Sequence, residues 1–171
     1  AIATRSTVTC ALLANSCSST TLNNTATLNN NSYVEFSATA NTGYRLNLTK
    51  LSFLRSGSGT CPNQLEVRYS TDGFATSTSM NNSLLTSTSA TTLTWDFADF
   101  NTAMDGTITF RVYPYGTQRA DLAVGAAASS GTFRIDDVII YGAVLLPPPT
   151  VTTTTPPSVI GSLNISIPIP F

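Results

Sequence analysis

This sequence is built from short runs of alternating apolar and polar residues, separated by turn-forming residues. In residues 65–70, Leu65, Val67 and Tyr69 share one face, and Glu66 and Arg68 share the other. A period of two is typical of a half-buried β-strand. Such runs recur about every 10–15 residues with no helical pattern between them. The sequence therefore predicts an all-β fold, an antiparallel β-sandwich or jelly roll of about 8–10 strands.

The composition supports this fold and argues against several classes of function. Only 10% of the 171 residues are charged, with two Glu, one Lys and no His, whereas long helices depend on Glu, Lys, Ala and Leu. A net charge of −1 gives no electrostatic basis for binding nucleic acid or an anionic membrane surface. No apolar run approaches the roughly 20 residues of a membrane-spanning helix. The many uncharged hydroxyl and amide side chains are typical of secreted, cell-surface proteins.

Residues 44–54 form the longest predicted strand. Leu46 and Leu48 share one face before Thr49, whereas Leu51 and Phe53 share the other face after Lys50. Because a one-residue shift in phase transfers side chains to the opposite face of a strand, we expect a β-bulge at Thr49 and Lys50.

The last ten residues, 162–171, are a second informative stretch. Their apolar side chains fall on every second position: Leu163, Ile165, Ile167, Ile169 and Phe171. A Pro/Thr-rich stretch precedes them, with prolines at Pro147, Pro148, Pro149, Pro156 and Pro157. We therefore predict a sandwich domain over residues 1–146, a linker over 147–157 and an extended C-terminal exchange strand over 158–171.

The C-terminal strand leads to the main functional prediction. Burying its five apolar side chains would contribute roughly 7–15 kcal/mol, and the extended linker can reach an adjacent subunit. We predict an extracellular homopolymer, a filament or surface assembly joined head-to-tail by insertion of this strand into a neighbouring copy. The alternative is a glycan-binding or adhesive module of a larger secreted surface protein.

Three stretches resemble the jelly-roll modules of secreted bacterial cell-surface proteins. They are residues 43–48 (Gly-Tyr-Arg-Leu-Asn-Leu), 66–74 (Glu-Val-Arg-Tyr-Ser-Thr-Asp-Gly-Phe) and 131–142 (Gly-Thr-Phe-Arg-Ile-Asp-Asp-Val-Ile-Ile-Tyr-Gly). The resemblance covers about residues 32–144. It implies a sandwich fold and an adhesive, glycan-binding or purely structural role. Within the second stretch, Thr-Asp-Gly at residues 71–73 has the composition of a tight hairpin turn.

The three cysteines are Cys10, Cys17 and Cys61. In an oxidising compartment two of them should pair. A bridge between Cys10 and Cys17 would close a short local loop, whereas a bridge from Cys61 to either would tie the N-terminus to the middle of the domain. The sequence leaves these pairings open, and the third thiol would be free and buried or would link subunits. No Cys-x-x-Cys pair or histidine is present to complete a thiolate metal site.

The remaining candidate residues concern ligands rather than catalysis. The absence of histidine removes Ser-His-Asp and Cys-His activation of a nucleophile, so we predict that the chain is not an enzyme. Tyr113 and Tyr115 could form an exposed platform for sugar rings, the alternative being ordinary packing. Modules of the kind that this chain resembles often hold a structural Ca²⁺, for which Glu35, Asp136 and Asp137 could supply oxygens. The alternative is that these carboxylates face solvent or pair with arginines, and no other cofactor is expected.

Overall fold

Two antiparallel β-sheets make up the part of the chain that the computed structural model describes, which comprises residues 3–5, 9–10, 22–84 and 86–146. Within these residues there are nine strands and no helix. They are β1 (Ala3–Arg5), β2 (Thr9–Cys10), β3 (Val34–Ala40), β4 (Arg45–Gly57), β5 (Pro62–Ser70), β6 (Thr78–Leu84), β7 (Thr91–Asn101), β8 (Thr107–Arg119) and β9 (Phe133–Leu145). The predicted all-β, antiparallel fold is confirmed.

The two sheets differ in size. The larger has the strand order β1-β3-β8-β5-β6, with β2 also paired to β3, and the smaller has the order β7-β4-β9. Apolar residues from both sheets fill the space between them; the wholly buried ones include Val34, Leu51, Phe53, Leu65, Val67, Ile108, Phe110, Val112 and Phe133. The architecture is therefore a β-sandwich whose three-stranded sheet covers only part of the larger one.

The predicted bulge at Thr49 and Lys50 is confirmed. The pairing of β4 shifts its register between Leu48 and Lys50 against both β7 and β9. The extra residue restores the phase of the strand, so the even-numbered leucines before the bulge and the odd-numbered Leu51 and Phe53 after it all reach the core.

The connection between β5 and β6 is longer than the tight turn predicted at residues 71–73. It spans residues 71–77, and side-chain hydrogen bonds organise it. The Asp72 carboxylate accepts hydrogen bonds from the Ser70 hydroxyl (2.6 Å) and from the hydroxyl (2.6 Å) and backbone N–H (3.0 Å) of Thr76. These bonds stabilise the charged carboxylate and lower the pKa of Asp72 to about 2. The loop also holds Phe74 at a left-handed φ of 66°.

Cys61 has a free thiol that is wholly buried. Its burial raises the pKa of the thiol to about 12, against an opposing influence of the Arg55 guanidinium. In this structure Cys61 thus takes part in no disulfide bridge. Cys17 and the side chain of Cys10 lie outside the described residues, so the bridge between those two stays a prediction.

Candidate functional site

The proposed sugar platform is not exposed. Tyr113 is 2% and Tyr115 8% exposed, although both lie on the strand face that points away from the core. Arg68 lies over the ring of Tyr113 at 5.7 Å from its centroid, and Tyr33 packs against the same ring edge-on. Burial raises the pKa of Tyr113. Because other segments of the chain cover these rings, the two tyrosines cannot stack on a ligand, and the prediction of an exposed platform is corrected.

A ladder of charged and aromatic side chains occupies this outer face of the larger sheet. The Arg111 guanidinium lies between two rings, 4.0 Å from the centroid of Tyr33 and 3.9 Å from that of Phe74. Its Nε donates a hydrogen bond to Glu35 (2.7 Å). Burial by itself would lower the pKa of Arg111, but the bond to Glu35 contributes to a net rise. The ladder therefore fastens the 71–77 loop and the segment before β3 to the sheet, a structural role.

The three carboxylates proposed for Ca²⁺ do not converge. Glu35 lies on β3 in the larger sheet and is engaged by Arg111, whereas Asp136 and Asp137 lie on β9 in the smaller sheet. Among the residues described, no group of three or more His, Cys, Asp or Glu side chains could hold a metal ion. The structure thus does not bring the predicted ligand set together.

The five apolar positions of the C-terminal strand, from Leu163 to Phe171, and the linker prolines, from Pro147 to Pro157, lie outside the described residues. The proposed division of the chain at residues 146 and 157 accordingly stays a prediction. The structure does describe the strand that directly precedes the linker, which is β9.

The edge of β9 that faces away from β4 pairs with no strand among the described residues. One side of this 13-residue strand pairs with β4, and no described strand pairs with the other side. Residues 138–145, Val-Ile-Ile-Tyr-Gly-Ala-Val-Leu, include no charge and no proline. Natural proteins usually protect a sheet edge with charged residues or prolines, because an unpaired row of N–H and C=O groups recruits further strands. This edge is therefore suited to accept a strand, and the uninterrupted apolar run is the sequence signal that could have predicted it.

The opposite edge of the smaller sheet has a different character. The edge strand β7 also lacks a second partner among the described strands, but it carries the exposed carboxylates of Asp96 and Asp99. Charges on an edge strand oppose the addition of an apolar strand. The charged residues of β9 (Arg134, Asp136 and Asp137) lie in its first half, so residues 138–145 are the stretch of edge without this protection.

An apolar slot runs between the two sheets beside the β9 edge. It has a volume of about 120 Å³, and the residues lining it are Ala38, Leu46, Asn47, Leu48, Ile140, Gly142, Ala143 and Val144. Ala38 is only partly buried although it packs against the core from β3. The larger sheet continues past β3 with β1 and β2, while the smaller sheet ends at β9. The position of one further strand in the smaller sheet is thus left open.

The described residues contain no helix with the length and apolarity to span a lipid bilayer. In comparisons with known proteins, no family model matches the chain, and no characterised protein is significantly similar to it.

Proposed function

We propose that this protein is a structural subunit of an extracellular filament or surface assembly, in which residues 158–171 of one copy insert into the next. The observation that carries the proposal is the edge of β9 at residues 138–145, which carries no charge and pairs with no described strand on its outer side. A strand that adds to this edge gains backbone hydrogen bonds, and its apolar face continues the core. Since the donor strand and the acceptor edge are different surfaces, the contact is head-to-tail and generates an open chain of subunits.

The energetics favour a stable joint. Five apolar side chains contribute roughly 1.5–3 kcal/mol each on burial. Part of this gain offsets the entropy lost when the strand is ordered and the subunit immobilised. The remainder, together with the backbone pairing, is sufficient to hold subunits together.

The linker favours a neighbouring copy over the donor's own sheet. A Pro-rich stretch such as residues 147–157 extends by about 3.1 Å per residue and so spans about 34 Å. A hairpin back onto β9 of the same chain requires a loop of only about 2–5 residues. The extra length instead suits a strand that must cross to another subunit.

Two charge-matched variants of the full chain test the proposal. Ile165→Asp with Ile167→Asp places two carboxylates on the apolar face of the strand, whereas Asn164→Asp with Ser166→Asp places them on its polar face. Because only the apolar face is buried in the joint, we expect the first variant to stay monomeric and the second to assemble like the unmodified chain. Light scattering over a concentration series measures both. Equal assembly of the two variants, or a strictly monomeric unmodified chain, would contradict the proposal.

A groove on the outer face of the smaller sheet favours a second candidate function, carbohydrate binding. It has a volume of about 460 Å³, and the residues lining it are Ser52, Leu54, Thr92, Asp136, Asp137, Val138, Ile139 and Tyr141. Tyr141 is 38% and Ile139 47% exposed, and the Lys50 ammonium lies 4.5 Å from the centroid of the Tyr141 ring, so the opposite face of that ring is the one that a ligand could contact. An exposed ring beside hydroxyl and carboxylate groups can stack on a sugar and accept hydrogen bonds from its hydroxyls. The sequence analysis did not single out Tyr141 as such a surface.

Local backbone geometry shapes this groove. The register of β4 against β9 shifts between Ser52 and Leu54, and Asp137 in the bulged stretch has a left-handed φ of 47°. Bulges re-aim side chains and often lie next to binding sites. The buried Ser52 hydroxyl lies 3.5 Å from the Tyr141 hydroxyl, too far for a strong O–H···O bond. The Ser52 hydroxyl is therefore able to form a shorter hydrogen bond with a ligand in the groove.

Titration with cellohexaose, laminarihexaose and mannohexaose tests the second candidate. We expect at least one of these neutral chains to bind, and Tyr141→Ala to weaken that binding about tenfold or more because it removes the stacking surface. Asp99→Asn, on the far edge strand, is the control and should leave the affinity unchanged. No binding by any of the three sugars, or an equal loss in both variants, would count against a carbohydrate site.

A further inference from the structure

We propose that the slot beside β9 is the acceptor site for residues 163–171 of a second copy of this chain. The inference rests on the proposed function and specifies where on the molecule the strand binds. One odd-numbered side chain of the incoming strand enters the slot, the other odd-numbered side chains extend the apolar layer along β9, and the backbone pairs with the outer edge of β9. Ala38, Ile140 and Val144 are the residues that the incoming side chains contact.

The first argument is the match between faces. On β9 the core-facing residues are Ile135, Val138, Ile140 and Val144, all partly buried and packed against the core. A strand added alongside β9 turns every second side chain to the same side of the sheet. The chain outside the described residues holds a nine-residue segment with this alternation, in which all five apolar side chains share one face. When that segment docks, its apolar face covers the partly exposed core-facing side chains of β9.

The second argument is the available space. Ala38 on β3 forms the floor of the slot, and its small side chain leaves room above the larger sheet. A leucine, isoleucine or phenylalanine side chain from an added strand can fill this room, which a residue of similar size at position 38 would close. No charged side chain lines the slot, so the incoming apolar residues leave no buried charge unpaired.

The third argument concerns the prolines of the donor strand. Pro168 and Pro170 have the same parity, so the N–H groups that they lack would point to the same side of the strand. That side cannot donate to a neighbouring strand. The odd-numbered residues Ile167 and Ile169 must therefore direct their N–H groups to β9, and the proline side faces outward. The docked strand then ends the sheet, so each acceptor takes one strand.

Variants of the full chain with one defect each separate this inference from the proposed function. Ala38→Leu fills the slot but leaves the donor strand intact. Ile165→Asp with Ile167→Asp places charges on the apolar face of the donor strand but leaves the slot intact. Ala123→Leu, the same substitution as in the slot but on an exposed loop, is the matched control. Light scattering and analytical ultracentrifugation measure the mass of each variant alone and of their mixtures.

We expect each defective variant to be monomeric alone and Ala123→Leu to assemble. An equimolar mixture of the two defective variants should give a 1:1 dimer and nothing larger, because only one donor strand and one slot remain intact. Ala143→Lys, which puts a charge on the exposed edge of β9, provides a second acceptor variant and should behave like Ala38→Leu.

Three results would overturn the inference. Assembly of both Ala38→Leu and Ala143→Lys as readily as the unmodified chain would place the acceptor elsewhere while leaving the proposed function intact. Failure of the mixture to form the dimer, with both variants folded by circular dichroism, would also overturn the inference, because an intact donor strand and an intact slot would then not be sufficient to form the joint. An unmodified chain that stays monomeric at every concentration would refute both the proposed function and this inference.

Discussion

Replacing Phe53 by alanine is expected to lower the free energy of unfolding by about 3–5 kcal/mol, the usual cost of deleting a buried phenyl ring. The ring is 0% exposed and lies on the central strand of the smaller sheet. It stacks on Trp95, with the centroids 4.9 Å apart, and packs edge-on against Phe36 of the larger sheet at 6.5 Å. Its loss therefore leaves a cavity between the sheets that the flanking strands cannot close. Urea unfolding followed by tryptophan fluorescence measures the change.

Phe97→Ala provides the comparison. Phe97 lies on the edge strand β7 and is only partly buried, where it stacks on Tyr69. Its truncation removes less surface from the core, and solvent can reach the space that is left. We expect a loss clearly smaller than that for Phe53. A loss of equal size would mean that the two sheets do not pack through Phe53 as described.

The second large effect is expected from Gly142→Ala. A Cβ atom at this position would overlap the carbonyl oxygen of Asn47 and lie 3.1 Å from the Cα of Leu48. These are backbone atoms of the neighbouring strand, so β9 would have to move away from β4 along their longest pairing. Overpacking costs typically 1–3 kcal/mol, and we expect this substitution to lie at the upper end. Thermal unfolding by calorimetry measures it.

Gly43→Ala is the matched control for this substitution. Gly43 has a left-handed φ of +82°, but nothing lies within 4 Å of the position of an added Cβ. Its replacement should cost only the backbone strain, about 1–2 kcal/mol. A larger loss at Gly43 than at Gly142 would contradict the close approach of β4 and β9. Because Gly142 also lines the proposed acceptor slot, the strain measurement should use a variant whose donor strand is disabled.

The sequence could predict those features that depend on neighbouring residues along the chain. Side chains alternate across a strand, so the period of two identified β3, β4, β5, β7, β8 and β9, but not β6, whose Ser- and Asn-rich sequence shows no apolar alternation. The break in phase at Thr49 and Lys50 located the bulge in the same way, because a phase shift is visible without knowledge of the partner strands. The sequence could not show that Asp72 organises a seven-residue loop, because that role depends on hydrogen bonds with Ser70 and Thr76 rather than on turn composition.

The candidate sites were harder to predict because they depend on what other segments cover. Alternation correctly places Tyr113 and Tyr115 on the outer face of β8. It gives no sign that Arg68 and Tyr33, from distant parts of the chain, lie over the first of these rings. Likewise, nothing in the sequence around Glu35 shows that Arg111 engages it or that Asp136 lies in the other sheet.

The sequence alone determined that this chain forms antiparallel strands with one apolar face, and that its last residues carry a further strand pattern after a Pro-rich linker. Only the tertiary structure decided which strands lie at the edges of each sheet. Strand neighbours here are far apart in sequence, as with β4 and β9, and pairing between them depends on the mutual fit of whole faces. That pairing leaves the uncharged residues 138–145 of the β9 edge and the slot at Ala38 open, and both are central to the proposed assembly.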